Sequence, residues 1–464
     1  MAIWLPHLDG RDGPKYLQIV EAMAHDIASG RLAADTQLPP HRELAYRLGL
    51  SANTTSRAYA EAVRRGLLRG EVGRGSFVRS TSAPSASGAA GSLHRDSAGP
   101  VDLSQNLPLA GFAEPHIRRA MSAILDSGDL PSLLDYQKDS DLNSHLEAGL
   151  TWLEQCGVKA EADEIVITMG GQHGLLCTLM ALLQPGDLLL TESLTYMPVH
   201  AMAERLGLQT ATVSMDREGV VPEAFEELCR HARPSAFYLT PTLQAPTTRT
   251  LSAGRRSTIA GIADRHAVTL IEDDVFAPLK PDRPAPLSCL VPDRTVYVTS
   301  LSKAVAPGLR VGFLRAPSAL VPALRQAINL SVWMTPPVTL EIASRLIDDG
   351  TVATISRQQR DTAHRRQKLA RSILGDADFD ADGHGLHIWL HLPDSWRADA
   401  FGAHCARSGV LIAEARRFAP EMASAPEAVR LCLSHEVDEK RLESGLRTIA
   451  GLLDTPTIGP VLML

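Results

Sequence analysis

The sequence predicts an α/β protein in two unequal parts, a small helical module at the N-terminus and a large, mainly parallel sheet clad in helices. Three observations predict it. Short apolar runs alternate with helix-length amphipathic stretches through most of the chain, the pattern of a sheet covered on both faces. Residues 81–100, T-S-A-P-S-A-S-G-A-A-G-S-L-H-R-D-S-A-G-P, carry almost no apolar bulk; burial there cannot offset ordering entropy, so they read as a flexible linker. Ahead of them, two short helical patterns flank Gly49. The expected division is a module over 1–80, the linker over 81–100 and the large domain over 101–464.

In the module, Tyr16 to Gly30 carries apolar residues at 17, 20, 23, 24, 27 and 28, a helical stripe closed by glycine. L-P-P leads into H-R-E-L-A-Y-R-L, with Leu44, Ala45 and Leu48 on one face. Gly49 turns the chain, and Ser51 is placed to cap a second helix. Ala58, Tyr59, Ala62 and Val63 form that helix's expected buried face, leaving Asn53, Thr54 and Arg57 outward near its start. This is the helix-turn-helix pattern, whose second helix enters the DNA major groove. G-V-G-R-G-S-F-V then predicts a tight hairpin with Arg74 at its tip and Phe77 and Val78 returning to the core.

Charge supports the same reading. The formal net charge is −7, yet residues 41–79 hold eight Arg and three Glu, a basic footprint suited to a polyanion. At 464 residues the chain exceeds one core. Six scattered cysteines show no metal-ligand spacing, and no apolar stretch is long enough to span a bilayer. The start, M-A-I-W-L-P-H-L-D-G-R-D, lacks the pattern of a signal peptide. A reduced, cytoplasmic protein without metal or membrane span is the expectation.

In the large part, strands are expected at 165–169, 187–192, 209–213, 236–239, 268–272, 295–299 and 311–314. A long charged helix follows from Val352, then a smaller α+β lobe containing H-I-W-L-H-L and V-R-L-C-L-S. The chemistry-bearing residues fall at the ends of these runs. T-S-L-S-K-A-V-A-P-G-L-R-V-G-F offers hydroxyls, Lys303 and, seven residues later, Arg310. A partly desolvated lysine supplies an amine nucleophile, and small hydroxyls with a guanidinium hold a phosphate. Asp273 lies in V-T-L-I-E-D-D-V-F at the end of the apolar run, where a carboxylate can pair with a protonated pyridine nitrogen. Gly170-Gly171-Gln172 follows a strand and opens a helix, a phosphate cradle of backbone N–H groups.

These residues resemble the fold-type I pyridoxal phosphate enzymes, the aspartate aminotransferase superfamily, over about residues 101 to 450. The resemblance implies that Lys303 carries pyridoxal 5'-phosphate as an aldimine and that Asp273 pairs with its ring nitrogen. It further implies that Ser300, Arg310, Gly171 and Gln172 bind the phosphate and that Tyr196 stacks on the ring. Arg430 would grip a ligand carboxylate, and Tyr136 would reach the phosphate in the neighbouring subunit. The asparagine and tyrosine that customarily donate to the cofactor's phenolic oxygen are Ala245 and Phe276 here.

The N-terminal module resembles the GntR-type winged helix-turn-helix, with its L-P-P-x-R-E-L-A entry and G-x-G-[ST]-F-V wing. That likeness places DNA contacts at Arg42, Ser51, Asn53, Thr54, Arg57 and the Arg74-Gly75 wing. Ala52 and Ser56 stand where relatives carry arginines, and Arg57 is near enough to replace one. Module, linker and large domain together resemble the MocR family of transcriptional regulators. The family implies a domain-swapped homodimer, a double-stranded DNA operator and an amino compound or the cofactor itself as effector. The competing expectation is a working aminotransferase with an attached DNA-binding head; the two absent donors favour the regulator.

Overall fold

The computed structural model of the chain describes residues 4–8, 13–28, 31–32, 36–64, 67–71, 75–78, 99–137, 139–420 and 425–454. Two compact units divide between Ser92 and Leu93. Most of the expected linker, 81–98, lies outside the described residues, as does Arg74.

The first unit contains α1 (Lys15–Ala28), α2 (His41–Leu48), α3 (Ala52–Arg64) and an antiparallel pair, β1 (Leu68–Glu71) and β2 (Gly75–Val78). Gly49 closes α2 at φ 65, and its N–H bonds the Ala45 and Tyr46 carbonyls; glycine takes this left-handed geometry without a Cβ penalty. Ser51 Oγ accepts the Thr54 N–H at 3.1 Å, the expected cap of α3. Ile19, Val20, Met23, Leu44, Ala58, Tyr59, Ala62, Leu68 and Val78 share one core.

Three details of the sequence reading are corrected. The buried stripe of α1 runs through Ile19, Val20, Ala22 and Met23, while Leu17, Ala24 and Ile27 are only half-buried. The sequence offers two overlapping apolar stripes, and packing against α3 selects between them. Val63 is 47% exposed; it stands about 100° around the helix from Ala62, the last buried position. Phe77 is half-buried, pairing with Gln37 at the edge of the wing, whereas Val78 is fully buried.

In the second unit every expected run holds a strand, with ends shifted by at most one residue. These are β3 (Ile165–Thr168), β4 (Leu188–Glu192), β5 (Gln209–Val213), β6 (Ala236–Leu239), β7 (Thr269–Asp273), β8 (Thr295–Ser300) and β9 (Gly312–Arg315). They form one sheet in the order β3-β9-β8-β7-β6-β4-β5, parallel except for β9. Successive β8 side chains serve opposite layers. Val296 and Val298 pack with Leu175 and Tyr238, and Tyr297 packs with Trp152 and Phe313. The crossover from β3 begins with α4 (Gly171–Leu182).

The charged helix α5 (Thr351–Leu374) leads to a smaller antiparallel sheet. Its strands are β10 (Phe379–Ala381), β11 (His387–His391), β12 (Ala413–Glu414) and β13 (Ala428–Cys432), ordered β10-β11-β13-β12. Its register sets Arg430 opposite Trp389 and His387 opposite Cys432. All six cysteines are free thiols, and only Cys289 is exposed. Among the described residues no helix is long and apolar enough to cross a membrane, and no His, Cys, Asp and Glu cluster could hold a metal.

Candidate functional site

The antiparallel insertion of β9 explains how one pocket assembles. It brings the loop after β8 back beside β3, so the Lys303 and Arg310 segment meets the start of α4. Gly170 caps α4 at φ 81. A Cβ built there would lie 2.9 Å from the Arg310 guanidinium, and one on Gly312 would lie 2.9 Å from the Gly170 backbone. Arg310 itself sits at φ 53 and donates to the Met169 carbonyl at 3.0 Å. A Cβ on Gly171 would approach buried Ser300 Oγ to 3.6 Å. The first-turn N–H groups of α4 have no intrahelical acceptor, so glycine backbone, hydroxyl and guanidinium line an anion cradle.

Asp273 ends β7 beside this cradle. Its Oδ2 accepts the Tyr238 hydroxyl at 2.8 Å, whereas Oδ1 is buried without a partner. Burial pushes the carboxyl up to about 6, partly offset by the Tyr238 bond and by the Val275 backbone N–H. Tyr196 donates to Gln172 Oε1 at 3.2 Å, joining two of the expected residues. Burial, then the Asp273 charge, raises its phenol to about 12.

Lys303 Nζ donates to the Asn106 carbonyl at 2.5 Å and stands 5.7 Å from the Phe276 ring centroid. Burial, then the Arg430 charge, lowers its amine to about 8, so a substantial fraction is nucleophilic near neutrality. Arg430 donates to the Ser104 carbonyl at 2.7 Å and lies over the Phe418 ring at 4.6 Å. Its Nε is buried and unpaired, while the guanidinium also contacts the Cys432 thiol.

Thus Lys303, Asp273, Ser300, Arg310, Gly171, Gln172, Tyr196 and Arg430 line one region. Tyr136 stands apart, 72% exposed, its ring edge-on to Trp333 at 5.9 Å. Sequence reasoning missed Asn106, Tyr238 and His387. Tyr238 carries a signal, a hydroxyl at the end of an apolar strand; Asn106 and His387 are joined to the site only by long-range contacts. An orphaned carboxylate oxygen opposite a lysine amine, beside a cradle that a single Cβ would fill, fits a pyridine ring bearing an aldehyde and a phosphate.

On the first unit, Arg42 and Asn53 are exposed. Ser51 and Thr54 share a hydroxyl hydrogen bond at 2.8 Å. Arg57 lies over the Tyr16 ring at 4.1 Å, so it is held by its own module rather than extended. Gly75 opens β2.

The family Aminotransferase class I and II matches residues 98–449, and Bacterial regulatory proteins, gntR family, matches 15–78. An aminotransferase-fold unit carrying a helix-turn-helix DNA-binding module is the class this architecture defines. An archaeal alanine:glyoxylate aminotransferase superposes with TM-score 0.71 at 20% identity, covering 77% of this chain and 91% of that one. The helix-turn-helix-type transcriptional regulator YdeF of Bacillus subtilis is 27% identical over 98% of this chain and 97% of its own. The vitamin B6 salvage pathway transcriptional repressor PtsJ of Salmonella typhimurium is 30% identical over 91% of this chain and 95% of its own. The chain belongs to the MocR-type transcriptional regulators of the GntR family, with an aminotransferase class I and II domain.

Proposed function

We propose that the large unit holds pyridoxal 5'-phosphate on Lys303 and senses an amino compound, or the cofactor itself, to govern DNA binding by the N-terminal module. The observation that carries this reading is the unpartnered, buried Oδ1 of Asp273 in the same pocket as the lowered amine of Lys303. Bound, the cofactor supplies an aldehyde carbon that condenses with amines. Lys303 would hold it covalently, and Asp273 would accept the ring N–H. Ser300, Arg310, Gly171 and Gln172 would take the phosphate, and Tyr196 would cover the ring face. Arg430 would orient a ligand carboxylate through paired hydrogen bonds.

Exposed Tyr136 fits a phosphate contact made across a homodimer, in which DNA-binding heads are exchanged between subunits. Contacts to a double-stranded operator would come from Arg42, Ser51, Asn53, Thr54, Arg57 and the Arg74-Gly75 wing. The relative named for vitamin B6 salvage supports keeping the cofactor itself among the effectors.

The test joins spectroscopy with a mobility shift on the DNA upstream of the gene. Wild-type protein should absorb in the visible with added pyridoxal 5'-phosphate, Lys303→Ala should not, and both should shift DNA. Arg42→Ala should lose the shift and keep the spectrum. A colourless wild-type protein would overturn the sensor reading, and retained DNA binding after deletion of residues 1–80 would overturn the module assignment.

A further inference from the structure

We propose that Nε2–H of His387 donates the hydrogen bond to the cofactor's phenolic oxygen that Ala245 and Phe276 cannot make. This rests on the reading that the large unit binds pyridoxal 5'-phosphate.

His387 opens β11 and is 0% exposed. Its Nδ1 is 3.2 Å from Asn106 Nδ2. With the Asn106 amide in this orientation its nitrogen donates, so Nδ1 is the acceptor and the ring proton is assigned to Nε2. The Gln244 and Pro246 carbonyls also act on the ring as acceptors and raise its pKa, surroundings that favour an N–H over a lone pair. Both carbonyls draw weakly on the ring N–H, but neither meets Nε2 in good hydrogen-bond geometry, and that nitrogen is buried without a well-formed bond. A buried polar hydrogen without an acceptor is costly enough to need an explanation.

Placement supplies that explanation. Gln244 and Pro246 bracket Ala245, and the Phe276 ring lies 6.4 Å from the imidazole, centroid to centroid. His387 therefore reaches the wall built by the two positions that lack a donor. Lys303 Nζ stands over the same Phe276 ring, and its acceptor Asn106 also holds His387. The imidazole is thus tied to the amine through one residue.

Charge fits as well. Burial, then Arg430 and, less strongly, Lys303, hold the imidazole down at about 3. The ring is neutral at physiological pH, and the charged groups acting on it are cations. An anionic oxygen is the complement that the edge lacks, and a phenolate provides one. A neutral N–H also stabilises that phenolate without adding a competing acid.

The test measures equilibrium binding of pyridoxal 5'-phosphate and of 3-deoxypyridoxal 5'-phosphate, which lacks the oxygen, by absorbance and tryptophan fluorescence of the full-length apo-protein. His387→Phe should weaken the natural cofactor about tenfold or more while changing the deoxy analogue by less than about twofold. His387→Gln, which keeps an N–H donor, should retain part of the discrimination, and Ala245→Asn added to His387→Phe should recover most of it. Circular dichroism confirms that each variant is folded; if His387→Phe is not, the His387→Gln comparison decides. Equal losses for both ligands, or no loss for either, would overturn the proposal. If wild type binds neither ligand, the cofactor reading itself fails and this proposal with it.

Discussion

The two ends of the pocket are built from different materials. At the end proposed to hold the phosphate, position is written in backbone: Gly170 and Gly312 approach Arg310 and one another, and Gly171 approaches Val275, too closely for added side chains to fit without adjustment. At the phenol and carboxylate end, position is written in side chains from distant elements, namely Asn106, Phe276, His387 and Arg430. The first end follows the aminotransferase pattern. The second departs from it at Ala245 and Phe276. Under the proposed function, phosphate capture at the first end would be separable from the reading of a ligand carboxylate by Arg430 at the second.

The largest expected effect breaks the backbone-built end. Arg310→Ala removes the guanidinium and should weaken pyridoxal 5'-phosphate binding by about a hundredfold, the scale of a charge-assisted pair; equilibrium dialysis measures it. Gly312→Ala drives a Cβ into the Gly170 backbone and the Thr299 carbonyl. It should cost about 1–3 kcal/mol in denaturant unfolding, as overpacking does, and weaken cofactor binding while leaving the DNA-binding unit folded.

At the other end, Arg430→Ala should leave cofactor affinity within about twofold yet raise the half-saturating concentration of a carboxylate-bearing amino compound by about tenfold. A large loss of cofactor would show that Arg430 serves cofactor capture as well as the ligand carboxylate. The smallest effect concerns Asp273 without cofactor. Burial raises its pKa from 3.8 to about 6, so across that window the folded chain holds a proton that the unfolded chain has released. Stability from this group is greatest at the acidic side and falls as pH rises through the window. Relative to Asp273→Asn, the apo-protein's Tm should decline by about 2–4 °C across it, and bound cofactor should reverse the trend. Buried Glu272 titrates in both proteins, whereas Glu192 is raised in part by the Asp273 charge, so the difference reads Asp273 together with its coupling to Glu192.

The two ends also differ in how legible they were in the sequence. The phosphate end lies beside strand termini, where apolar periodicity locates β3, β7, β8 and β9 and therefore Gly170, Asp273, Ser300 and Arg310. Lys303 was readable for the same reason. Asn106 was not, because it meets Lys303 across 197 positions and His387 across 281. No local pattern encodes a contact closed only by the whole fold. The α1 stripe failed on a smaller scale: two apolar faces compete in the sequence, and only the docking of α3 chooses Ile19 over Leu17.

The glycine-walled cradle has a consequence for how such a chain can diverge. Gly170 and Gly312 leave no space for gradual substitution, so changes there are abrupt and damaging. Residues 245, 276, 387 and 430 are side-chain positions, where single exchanges alter hydrogen bonding or charge without moving the cradle. Under the proposed function, new ligand preferences would be open to this scaffold through point substitutions at positions such as 430, with the glycine-built cradle left in place.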